Sequence, residues 1–301
     1  MQLRIEHLSK TYSNGTRALS DVSLSIPAGM FGLLGPNGAG KSTLMRILAT
    51  LQEPDTGSAV MRDVDGAGQL DVLRQKQAVR QTLGYLPQEF GLYPKVTARD
   101  LLDHFAILKG VTDGDERKRT VDALLEQTNL QDARDRALGT FSGGMRQRFG
   151  IAVALIGRPR LIIVDEPTAG LDPAERVRFL NMLSELGENS VVILSTHIVE
   201  DVSELCTHMA IIDKGAIRLE AEPLAAIAGM SGRVWRRIVD REGLAAEQRD
   251  RRVISTKLYS GRTIVRVLAN ERPGPEYEHA EPTLEDVYFA AMRQLGAEAA
   301  A

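Results

Sequence analysis

Between an apolar run at 30–34 and a helix-like pattern at 43–51 stand nine residues, Gly35-Pro36-Asn37-Gly38-Ala39-Gly40-Lys41-Ser42-Thr43. A strand that ends in such a turn and leads into a helix constrains the fold more than any other feature of the chain. The glycines permit backbone angles that aim several N–H groups at one anion, and the helix N-terminus adds its partial positive charge. Lys41 is then placed to reach the β- and γ-phosphates of a nucleotide, and Ser42 to ligate Mg2+. An ordinary glycine-rich turn is the competing reading, and the strand before it and the helix after it count against that. The pattern is a P-loop.

With 301 residues and 43% hydrophobic content, the chain can bury one full α/β core and keep residues for a small second domain. Lys and Arg number 37 against 40 Asp and Glu, a formal charge of -3. That balance gives no global attraction to nucleic acid or anionic lipid, and no nucleic-acid partner is expected. The single cysteine, Cys206, excludes an intrachain disulfide and reads as a small buried hydrophobe in a reducing cytosol. The first residues alternate like a strand and carry no signal-peptide core. No stretch approaches the roughly 18 apolar residues of a membrane span, and the best, 151–164, is broken by Arg158 and Arg160. A soluble, unexported chain is expected.

Along the chain, 3–8 and 18–26 read as antiparallel strands joined by a turn at Ser13-Asn14-Gly15. Residues 60–71 read as a connection and 69–82 as an exposed helix. From 97 to about 136 the pattern is helical, with Leu101, Leu102, Phe105 and Leu108 on one face and Val121, Leu124 and Leu125 on a second helix. Leu161-Ile162-Ile163-Val164 and Val191-Val192-Ile193-Leu194 are charge-free and rich in β-branched residues, as strands buried on both faces of a parallel sheet are. After Lys214-Gly215 come strand-like stretches at 233–239, 252–258 and 263–268, and an amphipathic helix at 283–295. The fold class expected is therefore α/β: a P-loop NTPase core with an antiparallel β subdomain and a helical insertion at about 89–160, plus a small C-terminal α+β appendage. The division expected is 1–220 and 221–301.

The run at 161–164 ends in Asp165-Glu166, a second carboxylate-bearing strand of the Walker B kind. Asp165 can hold Mg2+ through water, and Glu166 can orient or deprotonate an attacking water. Two acids capping a following helix would look the same in isolation. Phe141-Ser142-Gly143-Gly144-Met145 then precedes a helix, a second anion-binding helix start. With Gln88 in Leu86-Pro87-Gln88-Glu89, Gly170-Leu171-Asp172-Pro173, and His197 in Ser195-Thr196-His197, the chain from 1 to about 220 resembles the nucleotide-binding subunit of ATP-binding-cassette (ABC) transporters. The motifs stand in family order and at family spacing.

The resemblance implies that Tyr12 stacks on adenine, Gln88 contacts Mg2+ and the lytic water, and His197 touches the γ-phosphate. Alone, these three would read as a half-buried strand residue, a surface polar residue and a core histidine. His7, His104, His208 and His279 have no such context. The resemblance further implies that Ser142, Gly143 and Gly144 contact ATP held by a second cassette, either a copy of this chain or a homologue, in a head-to-tail dimer, with Asp172 orienting the interface loop. Three departures from the family pattern stand out: Phe141 and Met145 replace the usual Leu and Gln, and Ala169 replaces a frequent Ser. Met145 is similar to bacterial exporters of drugs and lipids, as is the segment Pro282-Thr283-Leu284-Glu285-Asp286-Val287-Tyr288-Phe289. Glu89-Phe90-Gly91-Leu92-Tyr93-Pro94 lies where the family receives a permease. The expectation is an ATP-hydrolysing subunit on the cytoplasmic face of the membrane that powers a separately encoded permease, with ATP and Mg2+ as its ligands. The alternative is a soluble ABC ATPase of repair, translation or regulation; a single set of motifs and the lack of a long heptad insertion count against it.

Overall fold

The computed structural model describes residues 1–63, 68–88, 91, 93–168, 171–185, 190–240, 243–244, 247 and 253–295. Its centre is a six-stranded sheet. β3 (Gly29–Leu34), β6 (Leu83–Leu86), β7 (Leu161–Asp165), β8 (Val191–Thr196) and β9 (His208–Asp213) run parallel, and β10 (Ala216–Ala221) pairs antiparallel to β9. The spatial order is β10-β9-β3-β8-β7-β6. Every residue of β7 and β8 is buried, which only a strand covered on both faces permits.

Alternation along these strands feeds two cores. Phe31, Leu33, Ile163 and Ile193 point to one face, where they meet Leu44, Ile47 and Leu48 of α1 (Lys41–Leu48) and the inner residues of a second sheet. That four-stranded sheet has the order β2-β1-β4-β5, built from β1 (Gln2–Thr11), β2 (Arg17–Pro27), β4 (Thr56–Arg62) and β5 (Gln69–Asp71). Leu34, Ile162, Val164, Val192 and Leu194 point the other way, onto Phe179 and Leu183 of α6 (Pro173–Ser184) and Val202 of α7 (Val199–Leu205). Each such side chain contributes about 2 kcal/mol by leaving water.

Residues 60–62 and 69–71 of the segment expected as a connection belong instead to β4 and β5, and the helix beyond them, α2 (Lys76–Thr82), is shorter than 69–82. After Thr56, β4 continues Gly-Ser-Ala, which has little strand propensity; its pairing with β1, from Gln2↔Arg62 to Ser9↔Thr56, overrides that. The helical region comprises α3 (Ala98–Leu108), α4 (Gly114–Gln127) and α5 (Gly143–Leu155), around Leu101, Leu102, Val121, Leu125, Phe141 and Phe149. Leu108, expected on the apolar face, is 67% exposed at the helix end, and Ala98 and Ala106 complete the buried stripe. α5 lies tightly on β6: a side chain at Gly84 would run into the Ala154 carbonyl, and one at Gly150 into Leu86.

Beyond β10, α8 (Pro223–Ala228) leads to an antiparallel sheet of order β12-β13-β11-β14, made of β11 (Val234–Val239), β12 (Val253–Tyr259), β13 (Arg262–Leu268) and β14 (Glu278–His279). The last helix, α9 (Leu284–Met292), begins with a capping box between Thr283 and Asp286. Asp286 is buried and accepts two bonds of 2.7 Å from the Arg266 guanidinium. Through Leu284, Val287 and Ala290, α9 extends the second core and packs on α7 and α8. Among the described residues no helix is long and apolar enough to cross a membrane.

Candidate nucleotide site

β3, β7 and β8 end in register: Leu34 lies opposite Thr196, and Asp165 opposite Ser195. The residues that follow therefore emerge together at the carboxyl edge of the sheet, where open α/β sheets bind their ligands. Gly38 and Gly40 have φ of 78° and 108°, angles a side chain disfavours. A Cβ on Gly40 would strike the Ala18 carbonyl, and one on Gly35 the Ile212 carbonyl. The loop is thus closely seated, with Gly215 N–H donating to the Ala39 carbonyl at 2.8 Å. Pro36, Asn37 and Gly38 face outward, Ala39 is buried, and α1 starts at Lys41 with no side-chain cap, so its first N–H groups are available to an anion.

Lys41 is buried, and its Nζ donates to the carbonyls of Gly35 at 2.6 Å and Pro36 at 3.3 Å. It also lies 3.4 Å from Glu166 Oε1, while Glu166 Oε2 lies 3.0 Å from His197 Nδ1. Glu166 itself has φ of 49°, a left-handed conformation that costs a non-glycine residue about 1–2 kcal/mol, and its N–H donates to the Ser195 carbonyl at 2.8 Å. This turn swings the carboxylate out of the strand and between lysine and histidine. His197 is half exposed. The sequence reading named Lys41, Glu166 and His197 separately; the fold joins them in one chain of contacts.

Asp165 is 4% exposed, and its Oδ1 has no hydrogen-bond partner among the described residues. An orphaned carboxylate oxygen is costly without a cation or water. Burial, then the Asp165 charge, raises the pKa of the Tyr85 hydroxyl. Asp165, Glu166 and the exposed Gln88 line one small cleft with Arg146 and Gln147. The carboxylate and amide oxygens there are hard donors of the kind Mg2+ takes, and Ser42 stands second in α1. No group of three or more His, Cys, Asp or Glu side chains that could hold a metal ion by themselves occurs among the described residues.

Tyr12 leaves β1 with its hydroxyl 3.0 Å from Thr43 Oγ1 and 3.3 Å from Gln52 Oε1, beside the start of α1. The Thr43 bond lowers its pKa, against the partial burial that would raise it. Ser142 caps α5, its Oγ accepting the Met145 N–H at 3.2 Å. Ser142 and Gly143 are exposed, and Gly144 is buried under the Glu175 carboxylate. No hydrogen bond or ion pair among the described residues joins these three to the P-loop. Phe141 packs edge-on against Phe149 with ring centroids 6.3 Å apart, which accounts for an aromatic residue at that place. Asp172 caps α6 by accepting the Glu175 N–H at 2.8 Å. Glu89, Phe90, Leu92, Ala169 and Gly170 lie outside the described residues; Tyr93 is 65% exposed.

Residues 19–169 match the sequence model of the family described as ABC transporter. This chain belongs to the ABC transporter family. It is 35% identical over 269 residues to the probable multidrug ABC transporter ATP-binding protein YbhF of Escherichia coli (strain K12), a match covering 88% of this chain and 45% of that protein. It is 37% identical to the linearmycin resistance ATP-binding protein LnrL of Bacillus subtilis (strain 168), across 71% of this chain and 67% of that one. This cassette thus spans less than half the length of the first of these relatives. Its fold matches the dimeric ABC cassette MJ0796 bound to ADP and Pi with a TM-score of 0.65 at 26% identity, over 73% of this chain and 98% of that one. The sequence reading missed a buried carboxylate behind the site, Asp201, which bonds Thr168, Thr196 and Arg176. Its only signal was an acidic pair, Glu200-Asp201, at a helix start.

Proposed function

We propose that this chain is the ATP-binding and ATP-hydrolysing subunit that powers a separately encoded membrane permease, for export across the cytoplasmic membrane. The observation that carries the reading is the Lys41–Glu166–His197 chain of contacts at the carboxyl edge of three adjacent strands, next to a P-loop. The similarity to YbhF, a probable multidrug ABC transporter ATP-binding protein, and to LnrL, a linearmycin resistance ATP-binding protein, supports export. The P-loop N–H groups and Lys41 bind the phosphates, and Tyr12 offers a ring face to the adenine. Glu166 takes or orients the proton of the attacking water, with Gln88 aligning that water, and His197 steadies charge on the terminal phosphate. Ser42, Gln88 and Asp165 would hold Mg2+, whose chemistry when bound is to neutralise the phosphate oxygens.

Ser142, Gly143 and Gly144 act on ATP held by a second cassette, in a head-to-tail dimer. A nucleotide shared in this way glues the dimer, and its cleavage releases it, so a few kcal/mol of differential binding moves an attached permease between states. Tyr93 and its neighbours receive that permease, at the cytoplasmic face of the membrane. The division into a cassette at 1–220, with a helical insertion at about 89–160, and an accessory unit at 221–301 belongs to the same proposal.

To test the reading, a tagged Glu166→Gln protein is purified with ATP from gently solubilised native membranes and its companions are identified by mass spectrometry. A stoichiometric polytopic membrane protein is expected. Recovery of soluble partners alone, or of none, would contradict it.

A further inference from the structure

Asp201 is fully buried in the first turn of α7, yet nothing in the proposed chemistry touches it. Its Oδ2 accepts the Thr168 hydroxyl at 2.6 Å and the Thr196 hydroxyl at 3.3 Å; its Oδ1 accepts the Arg176 Nε–H at 2.8 Å and forms an ion pair with Nη2 of the same guanidinium at 2.7 Å. The donors come from three separate segments. Thr168 follows Glu166 by two residues, Thr196 immediately precedes His197, and Arg176 closes the first turn of the helix that Asp172 caps, its N–H donating to the Asp172 carbonyl at 2.8 Å. Thr196 Oγ1 also accepts the Ile198 N–H at 3.0 Å, holding the turn that presents His197.

A buried ion pair is weak evidence for stability, because an apolar pair of the same volume often serves as well. What an apolar pair cannot supply is direction. One carboxylate with donors from three segments sets the spacing of those segments, and each of these bonds is stronger in the low-dielectric interior than it would be in water. The distances decide what is being spaced: Glu166 and His197 are 3.0 Å apart, on the two strand ends that Thr168 and Thr196 tie to Asp201. We propose that Asp201 is a positioning residue for hydrolysis, holding Glu166 and His197 at working distance and linking both to the Asp172 helix. The proposal rests on the ATPase reading above. α9 packs on the same helix, so the C-terminal appendage braces the element that carries Asp201.

The test is a steady-state ATPase comparison of full-length wild type, Thr168→Val and Thr168→Ser. Valine removes one hydroxyl and keeps the shape, and serine restores the hydroxyl. Thr168→Val is expected to lose about 10- to 100-fold in kcat, the order seen when reacting groups are misplaced by about an ångström, with the KM for ATP within about twofold. Thr168→Ser is expected to recover most of it. Unchanged kcat in the valine variant, or a loss that serine does not rescue, overturns the proposal. Asp201→Asn is the second variant should valine prevent folding, with the same expectation for kcat and KM. If wild type itself fails to hydrolyse ATP, the ATPase reading falls instead. The His197 ring resonance in the nucleotide-free protein then still decides the positioning: it should move in Thr168→Val and return in Thr168→Ser, and an unmoved signal overturns it.

Discussion

At the scale of single residues, Lys41 joins the P-loop to the carboxylate expected to handle water. Lys41→Ala removes the donor that bonds Gly35 and Pro36 and faces Glu166. It should weaken ATP binding at least about tenfold, the effect of removing a charged hydrogen bond of 1.5–3 kcal/mol, as read by fluorescent-nucleotide titration. Unaltered binding would remove Lys41 from the phosphate site. Burial, with the Asp201 charge adding to it, pushes the Cys206 thiol up to about 12. An acid whose folded pKa is raised binds more protons folded than unfolded, so its contribution to stability is lost between its ordinary value near 9 and about 12. Cys206 should therefore resist thiol reagents at pH 8 until the protein unfolds, and rapid labelling of the native protein would contradict its burial. Lys41, Glu166 and Cys206 were legible because their residue types and immediate neighbours sufficed. Asp201 was not: an acid in a first helical turn reads as an ordinary complement to the helix dipole, and only the arrival of Thr168, Thr196 and Arg176 from elsewhere distinguishes it from Glu200.

Among the elements, β7 and β8 announced themselves because a strand buried on both faces has no polar position to blur its pattern. β4 did not, since Gly57 and Ser58 carry no strand signal and the partner that orders them, β1, is distant in sequence. Expectation and structure agree on the last helix, whose anchor is more specific than amphipathicity alone. Arg266→Met would leave Asp286 buried without its partner. That loss should cost about 3–5 kcal/mol, measured by urea unfolding, and amide exchange should accelerate first in α9. Adding Asp286→Asn should recover part of the loss, since it removes the stranded charge. A single substitution costing under about 1 kcal/mol would mean that α9 is held by its apolar face instead. Ser142→Ala, at the cap of α5, should cost only about 1 kcal/mol of stability. A far larger fall in ATP turnover than in melting temperature is expected of it, because Ser142 is exposed and its proposed task lies on a second cassette.

On the scale of the whole molecule, one sheet brings Lys41, Glu166 and His197 to a single edge, while Ser142, Gly143 and Gly144, at the start of α5, make no hydrogen bond or ion pair to those three among the described residues. In the function proposed above, such a divided site is completed by a second cassette facing the first head to tail; the MJ0796 cassette to which this fold is similar is dimeric. The central claim is thus that ATP both fills the site and joins two chains. It is tested most directly by light scattering on size-exclusion chromatography of wild type and Glu166→Gln, with and without ATP and Mg2+, alongside phosphate release. Glu166→Gln is expected to lose hydrolysis by at least about a hundredfold and to run as a dimer retaining ATP, reverting to monomer when the nucleotide is removed, while wild type hydrolyses ATP and does not accumulate the dimer. A Glu166→Gln protein that turns over ATP at the wild-type rate, or stays monomeric at saturating ATP, would contradict the account.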